Sequence, residues 1–321
     1  MSQNVVVFSQ IDPIILEKLH AKYNVLCIDP KLGDVSAQIR EAVKDADGMI
    51  GAGRLLNEKN LETATKLKII SSVSVGYDNY DLNYLNAQNI WLSNTPHVLT
   101  ETTADLAFSL LMSASRQVAN LDAWTKQGKW TRTVGTAQFG QDVFGKTLGI
   151  IGLGHIGSAI ARRGFHGFNM NILYHNRNEK IEIAESLSAT YCSLNALLAQ
   201  SDYVVVSVDL NTDSKALMGA KQFALMQKHA VFVNIARGSV VDELALVDAL
   251  KQKQIFAAGL DVYQKEPLQS SALFELDNVV TLPHIGSATA ETRFKMANLA
   301  YHNLVDALDG RTPKYLVNPE Y

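Results

Sequence analysis

Three side chains able to move protons or bind anions stand just past apolar runs: Arg237 in NIARGSVVDE, Glu266 in GLDVYQKEPL and His284 in LPHIGSAT. Arginine offers a permanently charged planar fork, histidine exchanges a proton near neutral pH, and a carboxylate can steady an imidazole. Singly, each has a plain structural use: a loop charge, a turn residue before Pro267, and a capping or core histidine. At three successive strand ends they point to one site, because ligands of open α/β sheets bind beyond the carboxyl ends of strands.

A second cluster binds rather than reacts. Residues 147–175 read TLGIIGLGHIGSAIARRGFHGFNMNILYH, the pattern of a strand, a tight turn, a helix and a second strand. Gly152, Gly154 and Gly157 follow the run Leu148–Ile151 as G-x-G-x-x-G. The first glycine permits the sharp exit, the second lets backbone approach a pyrophosphate, and the third lets helix and strand pack closely. His155 and Ile156 lie inside the turn and offer backbone groups. The spacing predicts dinucleotide binding.

Which dinucleotide is read at the end of the second strand. An NAD site usually carries Asp or Glu there, about 20 residues past the glycines, to bind the ribose diol. Here stand His175, Asn176, Arg177 and Asn178, with no acid. Arg177 can pair with a 2′-phosphate while Asn176 and Asn178 donate further hydrogen bonds. NADP(H) is therefore expected to be preferred, with NAD(H) possible as a weaker cofactor. Arg177 as a solvated loop charge is the alternative.

The elements that must position these residues alternate along the whole chain. Apolar runs at VVVF, NVLCI, DGMIGAG, LKIISSVSV and IWLSN are separated by helical patterns, and Asp12-Pro13 is a good helix start. Thr95-Pro96 closes that series; a long helix is expected from Thr100 to Trp124. Its stretch Leu106–Ala114 is apolar almost all round, which implies a domain–domain core or a subunit interface. The rhythm resumes through YVVVSV, AVFVNIA, FAAGLDV and NVVTLPH, and a last helix, Ser287 to Leu308, can return the chain to the first domain. The fold class is α/β: two Rossmann/flavodoxin-like domains with parallel sheets, the first discontinuous. Residues 1–99 plus 288–321 make the substrate-binding domain and 100–287 the dinucleotide-binding Rossmann domain.

Bulk properties agree with two packed domains in 321 residues. Hydrophobic residues make up 47% and charged residues 19%, which argues against disorder. A net charge of −3 and a pI near 6.2 give no footprint for nucleic acid or an anionic membrane, so a small molecule is the expected partner. Cys27 and Cys192 lie in no metal-ligand spacing and read as buried, reduced thiols; no metal site is expected. With no export signal or membrane-length apolar run, a cytoplasmic location is expected.

Taken together, GLGHIG, NIARG, GLDV followed by KEP, and PHIGSAT resemble the D-isomer-specific 2-hydroxyacid dehydrogenase family over essentially the whole chain. Within it, SVGYDNYD, NTPHVLTETTAD and GFNMNILYHNR look like the glyoxylate/hydroxypyruvate reductase B branch, also called 2-ketogluconate reductase. The resemblance implies that His284 is the proton donor and that Glu266 orients it and favours its protonated form. Arg237 would hold the substrate carboxylate and carbonyl, and backbone N–H groups of Val75 and Gly76 would receive the carboxylate. Thr103, Ile235, Ala236, Asp261, His284 and Gly286 would contact the cofactor, Asp261 at the nicotinamide carboxamide. Asp209 and Asn211 depart from the Pro and Thr usual in the family, so the resemblance assigns no cofactor contact to that loop.

The expected activity is NADPH-dependent reduction of small 2-oxo acids, with glyoxylate, hydroxypyruvate and 2-ketogluconate as candidates, by a homodimer. Two alternatives stand beside it. One is a dinucleotide-sensing, co-repressor-like binding protein of the same fold; the other is an NAD-dependent D-2-hydroxyacid dehydrogenase with a different substrate.

Overall fold

The computed structural model describes residues 3–318. They form two compact units, one from the chain up to Leu99 together with the chain from Ala288 onward, the other from Thr100–Ser287.

In the first unit, strands β1 (Asn4–Val7), β2 (Asn24–Cys27), β3 (Gly48–Gly51), β4 (Ile69–Ser72) and β5 (Trp91–Ser93) lie parallel in the order β2-β1-β3-β4-β5. Helices α1 (Pro13–Lys22), α2 (Val35–Ala42), α3 (Glu58–Leu61) and α4 (Leu82–Ala87) connect them. The Asp12 carboxylate accepts the Ile14 N–H at 2.9 Å and Pro13 takes the first turn of α1, so the cap works as its residue types suggest. Alternation splits β1 between two cores: Val5 and Val7 pack on one face, Val6 and Phe8 on the other. β2 is an edge strand, and Cys27 on it is exposed while Cys192 is half-buried. The expectation of two buried thiols is thus corrected; an edge strand leaves one face unpacked.

In the second unit, α5 (Thr100–Ser115) and α6 (Val118–Lys126) precede β6 (Thr147–Ile151), α7 (His155–Phe168), β7 (Asn171–His175), α8 (Ile181–Ser186), β8 (Thr190–Tyr191) and α9 (Leu194–Gln200). Then come β9 (Tyr203–Val206), α10 (Ala220–Leu225), β10 (Val231–Asn234), α11 (Glu243–Lys251), β11 (Ala257–Leu260) and β12 (Val279–Thr281). The sheet is parallel in the order β12-β11-β10-β9-β6-β7-β8. Its strand order reverses between β6 and β9, which is where such sheets bind ligands. Tyr203 and Val205 of β9 enter one core, Val204 and Val206 the other.

The single long helix expected from Thr100 to Trp124 is two helices. Gln117 adopts the left-handed region at φ 53°, and the returning chain crosses tightly there, since a Cβ on Gly140 would lie 2.4 Å from Ser115 O. Gln141 N–H donates to Ser115 O at 2.8 Å, satisfying a carbonyl a continuous helix would have paired internally, and Gln117 Nε2 donates to Phe139 O at 2.8 Å, tying the break to the returning chain. The apolar stretch of α5 is buried within its own unit, with Ala107, Leu110, Leu111 and Ala114 in one core beside residues of β10 and α7.

The last helix, α12 (Ala290–Leu308), starts three residues later than expected. Thr289 accepts the Thr292 N–H, which sets the start. It lies on the first unit's sheet so closely that a Cβ on Gly48 would come within 2.7 Å of Leu304, and Ser71 Oγ donates to Ala300 O at 2.7 Å. Beyond it Leu316 bridges Ser93 in antiparallel fashion, and Asn318 Oδ1 accepts the Leu92 N–H at 2.6 Å.

Candidate active site

The glycine turn after β6 has the constraints its sequence suggests. Gly152 sits at φ 101°, and a Cβ there would lie 2.4 Å from Ser207 O. A Cβ on Gly157 would lie 2.0 Å from Gly152 O, so only glycine lets α7 start this close to the strand. Around Gly154 a Cβ would meet nothing within 4 Å. Gly154 caps a 14-residue helix with no side-chain cap hydrogen bond, and such a helix end attracts negative charge. His155, Ile156 and Gly157 make up that first turn. The donors present therefore fit a diphosphate.

At the end of β7 the residues have more local duties than the sequence suggested. Asn176 Oδ1 accepts the Leu153 N–H at 2.7 Å, tying the glycine turn to the next strand end. Its oxygen is thus engaged as an acceptor, a role that a reading of Asn176 as a phosphate donor did not include. His175 Nδ1 lies 3.0 Å from Cys192 O, and its ring stacks on Tyr191. Arg177 is 80% exposed and faces Asp213 at 3.8 Å, a long contact between two solvated groups. Asn178 is exposed next to it.

The loop with the unusual Asp209 and Asn211 is organised by Asn211 itself. Its Oδ1 accepts the N–H groups of Asp213 and Ser214, and Ser214 Oγ donates to Asp209 O at 2.6 Å. Asn211 thus acts as a local cap and leaves Asp213 beside Arg177.

Past β10, Ile235 and Ala236 are buried and Arg237 follows in extended conformation. Asn234, buried at the strand end, accepts the Ala236 N–H at 3.0 Å and donates to Arg237 O at 3.0 Å. A Cβ on Gly238 would lie 1.8 Å from the Tyr263 carbonyl carbon, so the segment after Arg237 is pressed against the one after β11. Asn234 was not anticipated as a site residue. Its signal in sequence is a polar amide closing an otherwise apolar strand.

Past β11, the carboxylate of Asp261 is 1% exposed and accepts the N–H of Ile285 at 2.7 Å and of Gly286 at 2.8 Å. Burial pushes this carboxyl above its ordinary range, opposed by the Ile285 amide, the charge of His284 and the Gly286 amide. Thr103 Oγ1 donates to Gly286 O at 3.0 Å. Asp261 and Thr103 thus grip the chain just after His284, which stands in the left-handed region at φ 54°. That conformation costs a β-carbon residue about 1–2 kcal/mol and persists only where neighbours enforce it.

Glu266 receives the Tyr263 N–H at 3.0 Å on Oε1, and its Oε2 lies 2.6 Å from His284 Nδ1. Burial alone would raise the Glu266 carboxyl. The hydrogen bond from His284, the Tyr263 amide and the charges of His284 and Arg237 outweigh it, so the net position is below the ordinary value. An ionised carboxylate has no proton to give, so Nδ1–H is the donor and Nε2 is left for other partners. Tyr263 braces the same region, its hydroxyl donating to Leu282 O at 2.9 Å. Arg237, Asp261, Glu266 and His284 are thereby fixed at the ends of three neighbouring strands.

In the first unit, Val75 and Gly76 lie in the half-buried loop after β4. Among the described residues no group of three His, Cys, Asp or Glu side chains could hold a metal ion, and no helix is long and apolar enough to cross a membrane.

Comparison with known proteins gives the same outline. Residues 108–286 match the model of the D-isomer specific 2-hydroxyacid dehydrogenase, NAD binding domain. The chain is 42% identical over its full 321 residues to glyoxylate/hydroxypyruvate reductase B of Escherichia fergusonii, covering 99% of that protein. It is 44% identical to the protein of that name from Citrobacter koseri, with the same coverage. Among solved structures, the NADPH-dependent glyoxylate/hydroxypyruvate reductase of Sinorhizobium meliloti in complex with NADP and malonate superposes with a TM-score of 0.89. It is 33% identical, with 99% of this chain and 97% of that one covered.

Proposed function

The chain belongs to the D-isomer specific 2-hydroxyacid dehydrogenase family, and on that premise we propose that it is an NADPH-preferring reductase of small 2-oxo acids, glyoxylate and hydroxypyruvate first and 2-ketogluconate as a further candidate. The observation that carries this reading is the His284–Glu266 pair at 2.6 Å beside Arg237, on a sheet whose glycine turn suits a diphosphate.

Each residue then has a task. Bound reduced nicotinamide supplies the hydride. Arg237 binds the oxo acid through its planar fork, which matches a carboxylate in two hydrogen bonds and polarises the adjacent carbonyl. Imidazolium His284 releases a proton from Nε2 towards the carbonyl oxygen as charge builds there, while Nδ1–H stays on Glu266 and fixes the tautomer that remains. Asp261 and Thr103 keep the 284–286 segment in place and offer remaining lone pairs to a carboxamide. Ile235, Ala236 and Gly286 supply backbone walls for the cofactor, and Val75 and Gly76 receive the carboxylate in the first unit.

Preference for NADPH rests on the absence of an acid at the end of β7 and the presence of Arg177 with Asn176 and Asn178. The relatives named as reductases of glyoxylate and hydroxypyruvate, one of them NADPH-dependent, support the substrate class. We assign it to the cytoplasm as a homodimer. The test is NADPH and NADH oxidation followed at 340 nm with a panel of 2-oxo acids, the three candidates among them. Highest kcat/KM for glyoxylate or hydroxypyruvate with NADPH is expected. No oxidation with any 2-oxo acid would leave a dinucleotide-sensing protein instead.

A further inference from the structure

The loop after β4 is held by a chain of hydroxyl groups whose directions can be worked out. Ser74 Oγ donates to Gly76 O at 2.7 Å, which uses its only proton. Ser72 Oγ lies 2.6 Å from Ser74 Oγ and must therefore donate to it. Tyr80 OH donates to Ser72 Oγ at 2.9 Å, and burial pushes the Tyr80 phenol up to about 12, so it keeps that proton throughout the physiological range. The order Tyr80, Ser72, Ser74, Gly76 C=O is thus one-way.

Two further donors take the preceding carbonyls. Asn94 Nδ2 donates to Val75 O at 2.9 Å, and Thr95 N–H donates to Ser74 O at 2.9 Å. Asn94 is itself clamped: its N–H donates to Tyr315 O and its O accepts from Asn303 Nδ2. Three consecutive peptide planes are therefore fixed by their carbonyls. In a trans peptide the N–H points opposite to the C=O, so the N–H groups of Val75, Gly76 and Tyr77 are turned away from the donors that hold the loop. Among the described residues these three have no acceptor. Successive unpaired backbone N–H groups form a concavity suited to an anion.

We propose that Tyr80, Ser72, Ser74 and Asn94 are positioning residues that preset this loop as a carboxylate seat. The proposal rests on the reading of the protein as a 2-oxo acid reductase for its substrate, and on the hydrogen-bond directions for its mechanism. A seat made of backbone carries no full charge, so its strength depends on how firmly the peptide planes are held. Removing the Ser74 hydroxyl frees the Gly76 carbonyl and lets the 76–77 peptide rotate.

Oxalate, an unreactive dicarboxylate, is the probe, titrated calorimetrically into the full-length protein and its variants, with NADPH titrated in parallel. Ser74→Ala is expected to weaken oxalate roughly five- to tenfold, the scale of one lost hydrogen bond, and to raise KM for the oxo acid in step, with NADPH affinity unmoved. Ser74→Thr, which keeps a hydroxyl, should restore oxalate binding; Tyr80→Phe, should Ser74→Ala fail to fold, should give a smaller loss of the same kind. Unchanged oxalate binding in Ser74→Ala and Tyr80→Phe, equal losses of oxalate and NADPH affinity, or a wild type that does not bind oxalate would overturn the proposal. The expected oxalate pattern without NADPH oxidation by any 2-oxo acid would keep the seat and overturn the reductase reading.

Discussion

His284 presents Nδ1 to Glu266 Oε2 across 2.6 Å, and Glu266 takes the Tyr263 N–H on its other oxygen, so the imidazole is oriented from an anchored carboxylate. The ring's freedom is spent on one face. His284→Ala should therefore lower kcat by roughly a hundred- to ten-thousandfold, the usual span for general acid catalysis. NADPH affinity, measured by quenching of protein fluorescence, should change little. Turnover close to wild type would remove His284 from the proton path.

The two carboxylates flanking His284 titrate in opposite senses. Glu266 lies below its ordinary 4.5 in the folded protein, so its contribution to stability is complete above that pH and is lost as pH falls through the lowered value. Asp261 lies above its ordinary 3.8, so its ionisation costs stability; that cost is absent at low pH and complete once pH exceeds the raised value. From about pH 7 down to about 3.5, the Tm gap between wild type and Glu266→Gln should narrow, while that between wild type and Asp261→Asn should widen. Parallel trends in a calorimetric series would contradict these assignments.

Arg177 is the expected discriminator between cofactors. Arg177→Ala should raise KM for NADPH about tenfold or more, as loss of a charge-assisted pair does, and leave KM for NADH nearly unchanged. Asp213→Asn should act in reverse and improve NADPH, because it removes a negative charge 3.8 Å from the guanidinium. Equal losses for both cofactors in Arg177→Ala would assign the arginine to the loop alone.

The glycines of the turn should separate by position. Gly157→Ala places a methyl 2.0 Å from Gly152 O and is expected to prevent a stable fold, or to move α7 and abolish NADPH and NADH binding together. Gly154→Ala meets open space, so Tm should hold while both dinucleotides bind more weakly. A Gly154→Ala protein with undiminished affinity would place the diphosphate elsewhere.

Arg237→Lys should lose kcat/KM by about a hundredfold even though charge is kept, since one ammonium does not reproduce a bidentate fork. Steady-state kinetics with glyoxylate would show it. An unaltered KM and kcat would mean the arginine acts only as a point charge.

Much of the frame was legible because it depends on repeating local signals. Apolar runs at Ala230–Ala236, Phe256–Val262 and Asn278–His284 read as strands, and the strand-end rule led from them to Arg237, Glu266 and His284. What stayed hidden depends on partners remote in sequence. The break at Gln117 is made by the chain at Gly140 and Gln141, and helical periodicity carries no trace of it. Cys27 looks like a core residue until the sheet order puts β2 at an edge. Asn176 reads from its strand position as a phosphate donor through its amide N–H groups; that its oxygen also accepts the Leu153 N–H is a pairing that exists only once β6 and β7 lie side by side.

The packing of α12 against β3 sets an order of events during synthesis. A ribosome makes the five strands of the first sheet before it makes the second unit, and α12 only afterwards. Until Leu304 covers Gly48 and the Ala300 carbonyl reaches Ser71, the face of that sheet that α12 shares with α1 is only partly covered. The second unit, contiguous in sequence, can close while still attached, so the half of the protein made first is finished last. Nascent chains stopped before residue 290 should leave the first sheet open to chaperones and proteases.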